Sequence, residues 1–186
     1  MASRRSIYPK DCTGHPVPDE VIHQMLTNAH LAPNHKITEP WRFVAFTGAG
    51  RQALAHFQSE CYKTVAQREG TFHEDRYLSL QKKPFESSHI IALGMKRDEN
   101  RMVPEWEELG AVFCAIENMY LTANAYGVGC YLSTGGITQM TEAKPLFGLG
   151  EADKLCGFLS VGMPKANLPP GCLRKPVVDK VKWIVE

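Results

Sequence analysis

A short polar segment between two prolines constrains the fold of this chain most. Residues 33–43 read PNHKITEPWRF. Each proline fixes its own φ and moves the preceding residue out of the helical region, so Pro33 ends a helix and Pro40 starts a strand. The residues between them must form an open connection whose backbone groups need outside partners. A polar loop held between two rigid elements suits a ligand, although an ordinary helix-to-strand connection has the same pattern.

Length and composition indicate one globular domain that covers residues 1–186. The chain is 44% hydrophobic and 22% charged, and its formal net charge of +1 gives no reason to expect a nucleic-acid partner. The N-terminus, MASRRS, has no apolar region of a signal peptide, and no apolar run is long enough to span a membrane. We therefore expect a cytoplasmic protein without a membrane partner.

The cysteines and histidines give little support for a metal site. The six cysteines are scattered and form no CxxC pair, and the seven histidines form no HxxxH or HxH pair. A metal-binding function therefore ranks last among the alternatives. Cys114 and Cys156 lie within apolar runs, and we expect both to be buried thiols in a reducing compartment.

Apolar periodicity predicts a chain in which helices and strands alternate. Residues 69–85 follow no period, and we interpret them as a mobile excursion or a lid. The predicted elements are helices at 18–29, 51–68, 105–126 and 140–147 and strands at 41–46, 89–95 and 155–162.

The longest predicted helix, Glu105 to Tyr126, is apolar on more than one side. Large apolar residues follow one face, and Gly110, Ala111, Cys114 and Ala115 leave a second side small and apolar. A helix with so little polar surface must be covered on several sides. It is either the central helix of the core or the seam of a dimer.

Two more clusters are suited to a ligand. Arg4, Arg5 and Ser6 place two guanidinium groups and a hydroxyl side by side, which suits a phosphate, although a solvated terminus has the same composition. Residues 127–136 read GVGCYLSTGG, and such glycines mark unusual backbone angles or close approach of a ligand. Neither a Walker motif nor a dinucleotide-binding fingerprint fits this segment.

Together these clusters resemble the FMN-dependent NAD(P)H nitroreductase family, in particular its small bacterial single-domain members. Arg4-Arg5-Ser6 resembles the Arg-x-Ser motif for the phosphate and ribityl chain, and APNHKITEPWRF resembles the AP-x(n)-QPW-aromatic signature. GVGCYLSTGG resembles the segment beside the flavin ring, and MVPEWEELGAVFCAIENMYLTA is similar to the central helix. The order and spacing agree over nearly the whole chain.

The resemblance implies an α+β fold with a central, mostly antiparallel sheet flanked by helices. It also implies an intertwined homodimer with one FMN in each of two interface sites, and a tail, residues 165–186, that extends toward the partner subunit. The implied reaction is ping-pong: NADH or NADPH reduces the flavin at N5, and the flavin then reduces a small-molecule acceptor such as a nitroaromatic or a quinone.

The resemblance assigns binding roles but no catalytic residue. Arg4 and Ser6 would hold the phosphate and ribityl chain with Arg5 beside them, and Arg174 would complete the phosphate site. The remaining residues implied at the flavin are Asn34 and His35 from the opposite subunit and Leu132, Ser133, Thr134 and Gly135 along the isoalloxazine ring.

The chain departs from the family pattern at two positions. Glu39 stands where the signature has Gln, and Tyr8 stands where many relatives have a Lys. Lys10 or Lys36 could supply the cation that faces flavin N1 and O2, and the sequence does not choose between them. A non-catalytic flavin-binding or sensing protein, or a specialised enzyme such as a dehalogenase or flavin-degrading oxygenase, fits the same residues.

Overall fold

The centre of the molecule is a four-stranded sheet in which every neighbouring pair of strands is antiparallel. The computed structural model describes residues 4–169, 171 and 174–185. Along the sheet the order is β1-β2-β4-β3, so the second and fourth strands in sequence lie at the centre. The strands are β1 Trp41–Phe46, β2 His89–Met95, β3 Gly129–Ser133 and β4 Lys154–Gly162.

Helices cover both faces of this sheet, which confirms the predicted α+β class. The N-terminal helix contains Asp19 and Glu20 in its first turn, where the helix dipole favours carboxylates, and Pro18 directly precedes it. It ends at His30, before Pro33. The α-helices are α1 Asp19–His30, α2 Ala49–Glu69, α3 Glu74–Lys82 and α4 Glu105–Ala125.

Strand β2 is buried on both faces and divides the core into two clusters. Ile91 and Leu93 pack with residues of α1 and α4, whereas Ile90 and Ala92 pack with residues of α2. This alternation follows from the two-residue period of a strand. It explains why the sequence of β2 is continuously apolar rather than alternating.

Helix α4 packs one side against the core and leaves another side exposed. Val112, Ala115 and Met119 are fully buried against the sheet and α1. In contrast, the side chains of Trp106 and Phe113 are 72% and 42% exposed. Both alternatives from the sequence therefore have support: α4 is the central helix of the core, and it also presents an uncovered apolar side.

Three sequence predictions need correction. Residues 69–85 are not irregular, because α3 and a 3₁₀ turn, Lys83–Glu86, occupy most of this stretch. Helix α3 buries no residue fully, so it carries no apolar stripe that a periodicity search would detect. Cys114 is exposed on α4, whereas Cys130 is the buried thiol of the neighbouring strand. The segment GVGCYLSTGG contains strand β3 in its middle.

The C-terminal tail lies on the surface in the residues that the structure describes. It forms a 3₁₀ turn at Val177–Lys180. Trp183, Ile184 and Val185 are each at least 80% exposed. The tail therefore offers a run of large apolar side chains that its own chain does not cover.

Candidate functional site

The N-terminal segment runs beside β3 and meets the C-terminal half of α4. The backbone N–H of Ile7 donates to the carbonyl of Cys130 at 2.9 Å. Gly129 allows this approach, because a Cβ there would lie 2.8 Å from Cβ of Ile7. The close approach predicted for this glycine-rich segment is therefore real, and the neighbour is the chain's own N-terminus. The pairing brings Arg4, Arg5 and Ser6 next to the start of β3.

Tyr120 of α4 contacts several members of this cluster. Its role was not predicted from the sequence. Its hydroxyl accepts the backbone N–H of Leu132 at 2.8 Å. Ser6 lies close enough to the same hydroxyl to influence its pKa. The guanidinium of Arg4 lies over the Tyr120 ring, 5.1 Å from its centroid. Burial raises the pKa of Tyr120, so the phenol stays neutral at physiological pH. In the sequence Tyr120 looks like one more apolar residue of the helix.

A cationic cavity of about 340 Å³ opens beside this cluster. Arg4, Arg5 and Lys165 contribute its positive charge. Arg4 also pairs with Glu117, with 3.5 Å between guanidinium and carboxylate. Arg174, predicted to complete a phosphate site, is exposed in the tail and does not line this cavity. Lys165 occupies the position of a C-terminal cation instead.

A second cavity, of about 770 Å³, lies at the other end of β3. Ser133 and Gly135 line it, together with Gly136, whose φ of +70° requires glycine. Leu132 and Thr134, two other predicted contacts, do not line it. Leu132 packs against the core, and Thr134 is exposed, with its backbone carbonyl accepting hydrogen bonds from Thr138 and Gln139. The alternation of side chains along a strand explains why only some residues of this segment reach the cavity.

The two cavities are lined by adjacent residues of the same two segments. Ile7 lines the smaller cavity and Tyr8 the larger one; likewise Cys130 lines the smaller and Tyr131 the larger. The rings of Tyr8 and Tyr131 pack against each other with their centroids 4.6 Å apart. Both cavities are therefore lined by the N-terminal segment and β3; the smaller one presents cations, and the larger one presents aromatic rings.

Cations surround the larger cavity as well. Lys10, one of the two cations proposed from the sequence, lines it, as do Arg76 and Lys83. Lys36, the other proposed cation, does not line it. Arg76 and Lys83 were missed because they lie in the stretch that we interpreted as a lid.

The loop that follows α1 is strained. Lys36, Ile37 and Glu39 all have positive φ, between 42° and 53°. Such angles are rare for residues other than glycine, and for β-branched Ile37 this is a genuine outlier that costs about 1–3 kcal/mol. Hydrogen bonds hold the loop: the Asn34 side chain accepts the backbone N–H of Glu39 at 3.1 Å, and His35 Nδ1 lies 2.6 Å from the Glu107 carboxylate. Strain of this kind is concentrated at functional sites.

Within one chain the strained loop does not meet the arginine cluster. His35 contacts Glu107 near the start of α4, whereas Arg4 contacts Glu117, ten residues later. Ten residues correspond to about 15 Å along a helix. Tyr120, the other α4 contact of Arg4, follows Glu107 by 13 residues and so lies about 140° around the helix on another face. Asn34 and His35 therefore lie apart from Arg4, Arg5 and Ser6 in the single chain.

Comparison with known proteins identifies the family. The family model described as "Nitroreductase family" matches residues 1–163. The chain belongs to the nitroreductase family. A curated relative, "Putative NAD(P)H nitroreductase YdjA" of Escherichia coli (strain K12), is 30% identical over 146 residues, which is 78% of this chain and 77% of the relative.

Solved structures of nitroreductases share the fold. A nitroreductase-like family protein from Bacillus cereus superposes with a TM-score of 0.80 at 25% identity, covering 98% of this chain and 92% of the other. The FMN-dependent nitroreductase NfnB from Mycobacterium smegmatis, crystallised with NADPH, gives a TM-score of 0.73 at 15% identity and covers 99% and 96%. These matches confirm the predicted family and fold.

No helix in the described part of the chain is long and apolar enough to cross a bilayer. Among the same residues, no group of three or more His, Cys, Asp or Glu side chains is placed to hold a metal ion.

Proposed function

We propose that this protein is an FMN-dependent NAD(P)H oxidoreductase that passes reducing equivalents to a nitroaromatic, a quinone or a similar acceptor by a ping-pong mechanism. The observation that carries the proposal is a pair of cavities lined by the N-terminal segment and β3: a cationic one of about 340 Å³ and a larger one of about 770 Å³. The relative named as an NAD(P)H nitroreductase and the FMN-dependent structural neighbour support the same function.

The residues at the cavities suit FMN. Its phosphate would lie against Arg4 and Arg5, whose planar guanidinium groups bind phosphate oxygens in pairs, with Lys165 beside them. Ser6, which lies between Arg5 and Ile7 but does not line this cavity, would reach the ribityl chain. Its ring would lie in the larger cavity against the backbone of Ser133 and of the glycines that follow. A pocket of about 300–1,000 Å³ holds a ligand of this size, and the larger cavity leaves room for a second substrate.

The protein's part in the reaction is binding, orientation and charge. When bound, FMN supplies the hydride chemistry itself, through N5 of its ring. Lys10 and Lys83 provide positive charge around the ring cavity, which favours a reduced, anionic flavin. Because no side chain must act as acid, base or nucleophile, we assign no catalytic residue.

The active form would be a homodimer whose subunits share each site. The exposed side of α4 offers Trp106, Phe113 and the open backbone of Gly110, next to which an added Cβ meets nothing within 4 Å. Exposed large apolar side chains on a helix and in the tail together favour an interface between subunits. The partner would then bring Asn34 and His35 to the flavin, as their separation from Arg4 within one chain requires.

Affinity for flavins and turnover together test the proposal. Fluorescence titration should show FMN binding about ten- to hundredfold tighter than riboflavin, which lacks the phosphate. NADH or NADPH oxidation should then depend on an added nitroaromatic or quinone and give parallel double-reciprocal lines. Equal affinity for the two flavins would contradict the phosphate site, and FMN binding without NAD(P)H oxidation would identify a non-catalytic flavin binder.

A further inference from the structure

We infer that the electron acceptor carries an anionic group, such as a carboxylate, and that Arg76 is the residue that selects for it. The inference rests on the proposed function, because the acceptor is expected to enter the same cavity as the flavin ring. Its basis is the charge and geometry of the larger cavity.

The charge that lines this cavity is mainly positive. Among the described residues, three cationic side chains line it: Lys10, Arg76 and Lys83. Glu86 is the one carboxylate that lines it there. Tyr8 and Tyr131 add aromatic surface. A cavity with cationic walls and an aromatic side favours an aromatic anion over a neutral aromatic compound.

Arg76 is held at the place where an acceptor must lie. Nη2 of its guanidinium is 3.8 Å from the position that a Cβ on Gly136 would occupy, at the end of the segment that follows β3. The guanidinium lies over the ring of Tyr62, with Cζ 5.0 Å from the centroid. Tyr62 is buried and stacks on Phe72, so its position is fixed. Arg76 is therefore oriented before a ligand arrives.

The guanidinium of Arg76 forms no ion pair with a carboxylate among the described residues. In contrast, Arg4 and Arg97 each have one such pair and Arg68 has two. A guanidinium stacked on an aromatic ring keeps its N–H donors free at the edge, and two of them match the two oxygens of a carboxylate. Its position at the cavity mouth makes it a specificity residue rather than a catalytic one.

The test compares an anionic and a neutral ligand of the same shape. Benzoate and benzyl alcohol are titrated into the oxidised, FMN-loaded protein while the flavin absorbance spectrum is recorded. We expect benzoate to bind more tightly, and Arg76→Gln to lower that preference by about threefold or more, since an ion pair to an oriented guanidinium is stronger than one between two mobile surface side chains. Arg76→Lys keeps the charge and should retain part of the preference.

Lys82→Gln is the matched control, because Lys82 is an exposed cation of the same helix that does not line the cavity. It should leave the preference unchanged. In turnover, Arg76→Gln should raise KM for 4-nitrobenzoate and leave KM for 4-nitrobenzyl alcohol and for NADPH unchanged. A rise in KM for NADPH alone would assign Arg76 to the phosphates of the reductant and overturn the inference.

The possible failures can be told apart. A yellow, active protein that binds benzoate and benzyl alcohol equally, or in which Arg76→Gln and Lys82→Gln have equal effects, contradicts the inference alone. A protein that takes up no FMN contradicts the proposed function, and the inference falls with it.

Discussion

The hydroxyl of Tyr120 lies 2.8 Å from the backbone nitrogen of Leu132 and accepts its hydrogen bond. The same hydroxyl meets the side chain of Ser6, and the ring beneath it carries Arg4. One side chain of α4 thus fixes both the N-terminal cluster and the strand that leads to the larger cavity. Tyr120 itself lines the cationic cavity, and it also positions the other residues there.

Tyr120→Phe keeps the ring that lines the cavity but should weaken FMN binding, because it removes the hydroxyl that orders its neighbours. Loss of the hydroxyl leaves the Leu132 N–H without its acceptor, which costs about 1–3 kcal/mol of folding stability, and releases Ser6. FMN titration and urea unfolding measure the two effects. Tyr126→Phe is the control, because the Tyr126 side chain is 55% exposed at the end of α4. Equal FMN affinity in Tyr120→Phe and the wild type would contradict the positioning role.

Arg4→Ala tests the phosphate site directly. A charge-assisted contact with a phosphate contributes about 1.5–3 kcal/mol, so FMN affinity should fall about ten- to hundredfold. Riboflavin affinity should change little, because riboflavin has no phosphate to lose. The fold should persist, since Arg4 pairs only with the half-exposed Glu117 among the described carboxylates. An unchanged FMN dissociation constant would remove Arg4 from the site.

Mixed dimers test whether the two subunits share each site. If Arg4 and His35 reach one FMN from opposite chains, a heterodimer of Arg4→Ala and His35→Ala subunits has one site with both defects and one with neither. FMN occupancy should then exceed that of either mutant homodimer. Occupancy no higher than in the homodimers, or a monomer in light scattering that binds FMN fully, would contradict the shared site.

Much of the fold was predictable from local sequence, because its strongest signals are local. Prolines bound the 34–39 loop, continuous apolar runs mark the central strands β2 and β4, and α4 shows two apolar sides in its sequence. What escaped prediction depends on distant contacts. The short helix α3 buries no residue fully, so Arg76 and Lys83 looked like parts of a loop.

The candidate site was predictable only in part, for the same reason. The ligand-suited clusters around Arg4, His35 and Ser133 stand out by residue type. The role of Tyr120 cannot be recognised from its residue type, because it depends on the packing of α4 against β3. Cys114 shows the opposite error: an apolar sequence context predicted burial, but the residue lies on the side of α4 that the single chain leaves uncovered.

Buried thiols make stability depend on pH in the alkaline range. Burial raises the pKa of Cys130 from 9.0 to about 12. A thiol whose pKa is higher in the folded state stabilises the fold fully below pH 9, and this contribution is lost as the pH rises toward 12. Between pH 7 and 10 the wild type should lose on the order of 1 kcal/mol more stability than Cys130→Ala. Cys114→Ala, which removes an exposed thiol, should follow the wild type. Parallel stability curves for Cys130→Ala and the wild type would contradict the shifted pKa.

The central claim, that the chain is an FMN enzyme reduced by NAD(P)H, is tested most directly by one anaerobic absorbance titration. The purified protein, loaded with FMN, should show the two visible bands of an oxidised flavin. Addition of NADH or NADPH without oxygen should bleach the long-wavelength band with one equivalent of reductant per FMN, and an added nitroaromatic or quinone should restore it. A protein that remains colourless after incubation with FMN, or a flavin spectrum that neither NADH nor NADPH changes, would contradict the account.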